Sequence, residues 1–169
     1  IRDRLEAFAN SMNVPTVNAG LAIGVENVAN TMQNAGWSEP IAPYPSMLLG
    51  AVNGSPLMVA QIYQTIADEG RYRKLTSITA VLDSQNTPLA VTHSASEMAI
   101  DPATDYLVQY AMSQVVAKGT GKRLGAAFPG VKLAGKTGTS NDSRDSWFAG
   151  LDERNVAAIW VGQDDNSKT

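Results

Sequence analysis

The chain has 169 residues, 44% of them hydrophobic and 17% charged, with 13 basic against 16 acidic side chains. That length suits one domain with an ordinary buried core, and the composition is that of a globular protein rather than a disordered one. A formal charge of −3 with no run of either sign leaves no footprint for nucleic acid or an anionic membrane, and the absence of cysteine excludes disulfides and thiolate metal sites.

The single histidine, His93, cannot build a histidine metal cluster, and no cofactor is indicated. No apolar run reaches the length of a membrane span, and no signal peptide opens the chain. The first residues, Ile1 through Phe8, already have helical spacing, and the last six form a polar turn. Both ends therefore read as cut from a longer parent, whose export or anchoring signals would lie outside these residues.

Residues 1–10 are expected to be helical, followed by the polar turn Ser11-Met12-Asn13. Pro15 in a first turn starts a second helix, with Val14, Val17, Leu21 and Ala22 on its inner face and Gly24 at its end. Val25, Val28, Met32 and Ala35 mark a third, closed by Gly36. Residues 37–47 hold Pro40, Pro43 and Pro45 and read as an irregular surface loop, leading into Met47-Leu48-Leu49 as core. Ser55 as cap and Pro56 at the first helical position begin the clearest helix, with Met58, Val59, Ile62 and Ile66 as its buried stripe and Gly70 as its stop. Asn53-Gly54-Ser55 fits a glycosylation pattern but marks only this turn and cap.

Residues 77–82 and 89–91 read as strands about a turn at 84–88. Asp101-Pro102 opens a helix to about Ala117 that packs through Leu107, Tyr110, Ala111, Gln114 and Val115, and Gly119-Thr120-Gly121 ends it. Three strands follow, at 131–137, 146–151 and 155–162, the last two joined at hairpin length. Helices first and an antiparallel meander after is an α+β plan, an antiparallel sheet flanked by helices in a single domain over 1–169.

The segment Leu133-Ala134-Gly135-Lys136-Thr137-Gly138-Thr139-Ser140-Asn141 sets a cation, hydroxyls and a bare glycine in a row. On an extended backbone Lys136 and Thr137 face opposite ways, and Gly138 lets another backbone lie close. That combination suits gripping an extended peptide along a strand edge. The same residues satisfy a rival pattern, since Gly130 through Gly135-Lys136-Thr137 matches the phosphate-binding loop. That mechanism needs a loop between the glycines and a helix starting at the lysine, so that amide dipoles meet phosphate. The intervening residues read as strand, and Gly138-Thr139-Ser140 is a poor helix start. A nucleotide-binding protein is thus the alternative, and a non-catalytic binding module a third reading.

Taken singly, the polar residues have plainer explanations. Ser11 and Asn13 would cap a helix, and Lys136 would be a solvated surface lysine. Trp147 and Phe148 straddle the two faces of a strand, Trp37, Tyr44 and Trp160 read as core or loop packing, and His93 as a surface or partly buried polar residue.

The longer phrases are more specific. Ser11-Met-Asn-Val-Pro-Thr-Val-Asn18, Met47-Leu-Leu-Gly-Ala-Val-Asn53, Gly119-Thr-Gly121, and Ala134-Gly-Lys-Thr-Gly-Thr139 followed by Asp145-Ser-Trp-Phe-Ala-Gly150 resemble the transpeptidase domain of class A penicillin-binding proteins. The wording is most like the 1b type of Gram-negative bacteria, and the likeness runs over nearly the whole chain. It implies a β-lactamase/transpeptidase-like fold, of which residues 1–169 form a partial domain with about three of five sheet strands. It also implies a Ser-x-x-Lys nucleophile. No serine here has a lysine three places on, so the attacking serine is expected N-terminal to Ile1 and this piece alone is expected to be inactive.

The resemblance assigns roles residue by residue. Ser11 would relay a proton to the leaving nitrogen, and Asn13 would hold the missing lysine and a substrate amide. Lys136 would stay charged and stabilise negative charge nearby. Thr137 and Thr139, either side of Gly138, would donate hydroxyls to a terminal carboxylate, with the Thr139 N–H in the oxyanion hole. The implied donor is a peptidoglycan stem peptide ending in D-alanyl-D-alanine, the acceptor an amine on a neighbouring stem, and β-lactam antibiotics mimic the donor. The implied place is the periplasmic face of the bacterial inner membrane, with an anchor and a glycosyltransferase domain elsewhere in the parent. A truncated sheet would expose apolar surface, so self-association is expected of the isolated piece. Ser140 stands where many relatives carry a second threonine, keeping the hydroxyl. Met12 stands where β-lactamases often have aspartate, which leans towards the synthetic enzymes.

Overall fold

The sequence patterns resolve into an α+β arrangement in a computed structural model that describes residues 2–92, 94–140 and 144–165. Its centre is an antiparallel meander of β5 (Ala134–Thr139), β6 (Ser146–Leu151) and β7 (Val156–Val161), in that spatial order. The β6–β7 turn is closed by Asp152, whose carboxylate accepts from the backbone N–H groups of Arg154 and Asn155, both at 2.7 Å. On the sheet lie α5 (Pro102–Lys118), against β5, and α4 (Pro56–Ala67), against β7 and β6. The first helix, α1 (Arg2–Ala9), packs on α5. Ile66, Met112 and Ala134 form the core between these layers, flanked by Phe8, Ile62, Val108 and Leu151. Strand β5 is thus anchored in the core at Ala134 and emerges from it towards Thr139, which is exposed.

Around this centre run α2 (Asn13–Ile23), α3 (Val25–Asn34), a 3₁₀ turn (Pro45–Leu49) and α6 (Lys122–Ala127). Two small antiparallel pairs complete the described structure: β1 (Arg71–Arg73) with β4 (Ser96–Met98), and β2 (Ala80–Leu82) with β3 (Pro88–Val91). Ser55 caps α4 as expected, its hydroxyl accepting from the Met58 N–H at 3.3 Å.

The inner faces differ from the sequence reading. In α2 the expected stripe is largely outward, with Val14 and Leu21 exposed, and the buried residue is Gly20. Leu48 fills the space there, since a Cβ on Gly20 would meet its side chain at 2.4 Å. In α4 the hidden residues are Gln61, Thr65 and Ile66, with Met58, Val59 and Ile62 only half-buried. Loop backbones pressed on that face need partners. Gln61 accepts from Leu75 N–H at 2.8 Å and donates to Arg73 O at 3.0 Å, and the Thr65 hydroxyl donates to Ala35 O at 2.8 Å.

In α5 the buried residues are Asp105, Met112, Val115 and Val116, while Leu107 and Tyr110 are exposed. The third strand starts at Ala134 rather than 131, because Gly130 turns with φ 86° and pairing begins where Ala134 meets Leu151. Helix α6, strands β1 and β4, and the 3₁₀ turn inside the expected loop were not foreseen. Trp37 is buried as expected but Tyr44 is exposed, and Met47 is buried while Leu49 is exposed. His93 lies outside the described residues. A concavity of about 920 Å³ lies between α5, α6 and the start of β5 and includes none of the predicted site residues. Among the described residues no helix is long and apolar enough to cross a membrane.

Candidate active site

Ser11 sits where α1 ends. The N–H of Ser11 donates to Phe8 O at 3.1 Å and that of Met12 to Ala7 O at 2.9 Å. This paired closure places Ser11 in the left-handed position that glycine usually fills, and its φ is 54°. A serine held there carries backbone strain of about 1 kcal/mol, the kind that accumulates where a side chain has work to do. The cap reading of Ser11 and Asn13 is corrected by the same geometry. The N-cap of α2 is Met12, with no side-chain cap bond, and the Ser11 hydroxyl is engaged elsewhere.

That engagement is with Lys136. Its Nζ donates to Ser11 Oγ at 2.7 Å, across 125 residues of sequence, and to Thr137 O at 2.9 Å. The ammonium also stands 5.9 Å from the centre of the Phe8 ring. Lys136 is half-buried, with no carboxylate in ion-pair range among the described residues. Burial pulls its pKa below the usual lysine value. The solvated-lysine reading is therefore corrected too.

Thr137 faces the other way, its Oγ1 2.6 Å from Thr120 Oγ1. Gly138 pairs with Trp147, and a Cβ there would meet that residue's Cβ at 3.2 Å. Thr139 is opposite Ser146 and exposed. Ser140 continues the ladder, its N–H donating to Asp145 O at 3.0 Å and its hydroxyl accepting from Asp145 N–H at 2.8 Å. In an antiparallel pair the backbone groups of alternate residues turn to and from the partner strand. With Ser140 facing β6, so do Gly138 and Lys136, and the N–H and C=O groups of Thr137 and Thr139 face outward. Among the described residues β5 is the edge of its sheet, so these groups have no partner strand, and Thr137 O accepts instead from Lys136 Nζ. Asn13 opens α2, exposed, and its side chain makes no hydrogen bond among the described residues. Ser11, Lys136, Thr137, Gly138 and Thr139 are thus gathered on one strand and the turn facing it, and Asn13 stands two residues beyond Ser11.

The phosphate-loop reading fails on this geometry. Lys136 lies in the middle of a strand, Ala134–Thr139, and no helix begins at it to aim amide dipoles at a phosphate.

The family model for the penicillin-binding protein transpeptidase domain matches residues 2–167. The chain belongs to that transpeptidase family. Penicillin-binding protein 1B of Vibrio cholerae is 44% identical over 164 residues, covering 96% of this chain and 21% of that protein. The chain spans about a fifth of the length of the curated relatives it matches. Among solved structures, penicillin-binding protein 1A from Haemophilus influenzae superposes with a TM-score of 0.87 at 20% identity, over 95% of this chain and 30% of that one. Penicillin-binding protein A from M. tuberculosis, solved as an imipenem acyl-enzyme complex, superposes at 0.75 and 20% identity, over 94% and 41%.

In this transpeptidase domain three participants escaped the sequence reading. Phe8 underlies the ammonium of Lys136, and nothing in its helical spacing marks it for that place. Thr120 meets Thr137, although its sequence reading was the end of α5. Trp160 donates from Nε1 to Asp145 Oδ1 at 2.9 Å and lies 6.3 Å from Trp147 ring to ring, holding the end of the β5–β6 ladder from β7. Only Thr120 lay inside a quoted motif, Gly119-Thr-Gly121.

Proposed function

We propose that these residues supply two walls of the cleft of a D,D-transpeptidase, which cross-links peptidoglycan stem peptides by serine acyl transfer and is acylated by β-lactams. The nucleophilic serine and its lysine are then contributed by chain beyond these 169 residues. The observation that carries this reading is the 2.7 Å bond from Lys136 Nζ to Ser11 Oγ, which joins the two polar motifs across one gap.

The chemistry follows from the donors and acceptors. With Lys136 occupying one lone pair of Ser11 Oγ, the hydroxyl proton is left to point at the departing amine. As the tetrahedral intermediate collapses, the C–N bond breaks and the nitrogen takes that proton, while Ser11 Oγ takes in turn the proton that the absent lysine removed from the nucleophile, so that Ser11 ends neutral. The nearby ammonium stabilises the negative charge that builds on Ser11 Oγ. Thr137 and Thr139 present hydroxyls to the donor's terminal carboxylate. The outward backbone of β5 suits a donor peptide added as an extra strand, with the Thr139 N–H on the carbonyl oxygen. Asn13 holds the absent lysine and a substrate amide. Peptides ending in D-alanyl-D-alanine fit a grip that needs a free carboxylate beside a scissile amide, and acylation by imipenem in the M. tuberculosis relative supports β-lactams as mimics. The parent acts at the periplasmic face of the inner membrane, held there by segments outside this chain. The exposed apolar residues Tyr106, Leu107, Phe128 and Val131 are the surface through which the isolated chain would self-associate.

The test is labelled penicillin added to the full-length gene product and to the 169-residue chain. One-to-one labelling of the first and none of the second is expected. Stoichiometric labelling of the short chain, or none of the full-length protein, would refute the assignment.

A further inference from the structure

Thr120 touches both walls of the cleft. Its backbone N–H donates to Ala9 O at 3.1 Å, two residues ahead of Ser11, and its hydroxyl meets that of Thr137 at 2.6 Å. The turn that carries it has no slack. Gly119 N–H donates to Gln114 O and Val115 O at 3.1 and 3.0 Å, and Gly121 N–H to Val115 O at 3.0 Å. A Cβ on Gly119 would come within 2.1 Å of Ala9 O, so only a bare backbone fits between α5 and the end of α1. Rigid elements therefore deliver the Thr120 hydroxyl to its place.

Resting on the transpeptidase reading, we propose that Thr120 is a positioning residue for the anionic end of the substrate, acting through Thr137. A hydroxyl has one proton and two lone pairs, and in a pair at 2.6 Å one member donates. A carboxylate can only accept. When one lies against Thr137, that residue's proton goes to it, and Thr120 becomes the donor into Thr137 Oγ1. The chain then runs from Thr120 O–H to Thr137 O–H to carboxylate, each bond polarising the next. Without the Thr120 proton the Thr137 hydroxyl loses the bond that orients it, and its donation weakens. Thr120 also ties this carboxylate grip to the main chain leading into Ser11, so one turn sets both the anion-binding hydroxyl and the height of the proton-relay wall.

The experiment uses the full-length gene product with wild-type Thr120, Thr120→Val and Thr120→Ser, and two probes, benzylpenicillin and its methyl ester. Wild type is expected to acylate faster with the free carboxylate. Thr120→Val keeps the shape and loses the donor. It should slow acylation by benzylpenicillin about tenfold, near the upper end for one neutral hydrogen bond, while the ester changes less than about twofold. Thr120→Ser should restore the preference for the carboxylate, with melting temperatures of the three proteins checking the fold. Equal slowing towards both probes would mean a merely structural role and would overturn the inference, as would no slowing towards either. A wild-type protein that neither probe acylates would sink the transpeptidase reading itself, and this inference with it.

Discussion

Lys136→Ala removes an ammonium group that donates at 2.7 Å to Ser11 Oγ and at 2.9 Å to Thr137 O. Loss of one preorganised donor beside developing negative charge costs about 2.7–4 kcal/mol of transition-state stabilisation, or about 10²- to 10³-fold in rate. Stability should respond differently. Burial opposes the charge on Lys136, and no carboxylate offsets it among the described residues. Its compensation is two hydrogen bonds and the Phe8 ring at 5.9 Å, the latter contributing about 0.5–1 kcal/mol. Truncation also leaves Ser11 Oγ on an exposed residue, where water replaces the lost donor. The unfolding free energy should therefore change by less than about 1 kcal/mol.

The assay pairs the second-order rate of acylation by fluorescent penicillin with the denaturant midpoint, both on the full-length gene product. A folded-state pKa below the unfolded one means the protonated lysine disfavours the fold. This contribution becomes more favourable as pH rises through the folded value towards the unfolded one. Lys136→Ala should remove that alkaline gain. Acylation within tenfold of wild type, or a stability loss as large as the rise in activation free energy, would refute the reasoning.

Ser11→Gly should raise stability by about 1 kcal/mol over Ser11→Ala, because glycine adopts the φ of 54° without strain, while both variants lose acylation. Equal thermal midpoints for the two variants would show that no strain is stored there. Tyr63 lies in the core layer, and burial pushes its phenol up to about 12. The unfolded chain ionises near 10, so the stability this phenol contributes is intact below that pH and is lost as pH climbs towards 12. The loss should reach up to about 2.7 kcal/mol and be absent in Tyr63→Phe. Absorbance at alkaline pH should show a phenol that ionises only towards pH 12 and is missing from Tyr63→Phe, and identical titration curves for the two proteins before unfolding would contradict its burial.

Residue spacing and turn chemistry alone determined the α+β plan, the cap of α4 at Ser55, the strand at 146–151 and the polar turn at Ser11. These features depend on neighbours a few positions apart, and local backbone physics decides them. The Lys-Thr-Gly row was legible as a strand edge for the same reason. Tertiary structure alone decided which apolar faces are covered. Leu107 and Tyr110 keep helical spacing yet remain exposed, and Gln61 and Thr65 are hidden because loop backbones needed their hydrogen bonds. It also decided that Lys136 closes on Ser11 and that Thr120 meets Thr137. Those contacts join segments far apart in the chain. Spacing reports what each segment can present, whereas packing of α1, α5 and β5 sets what it meets.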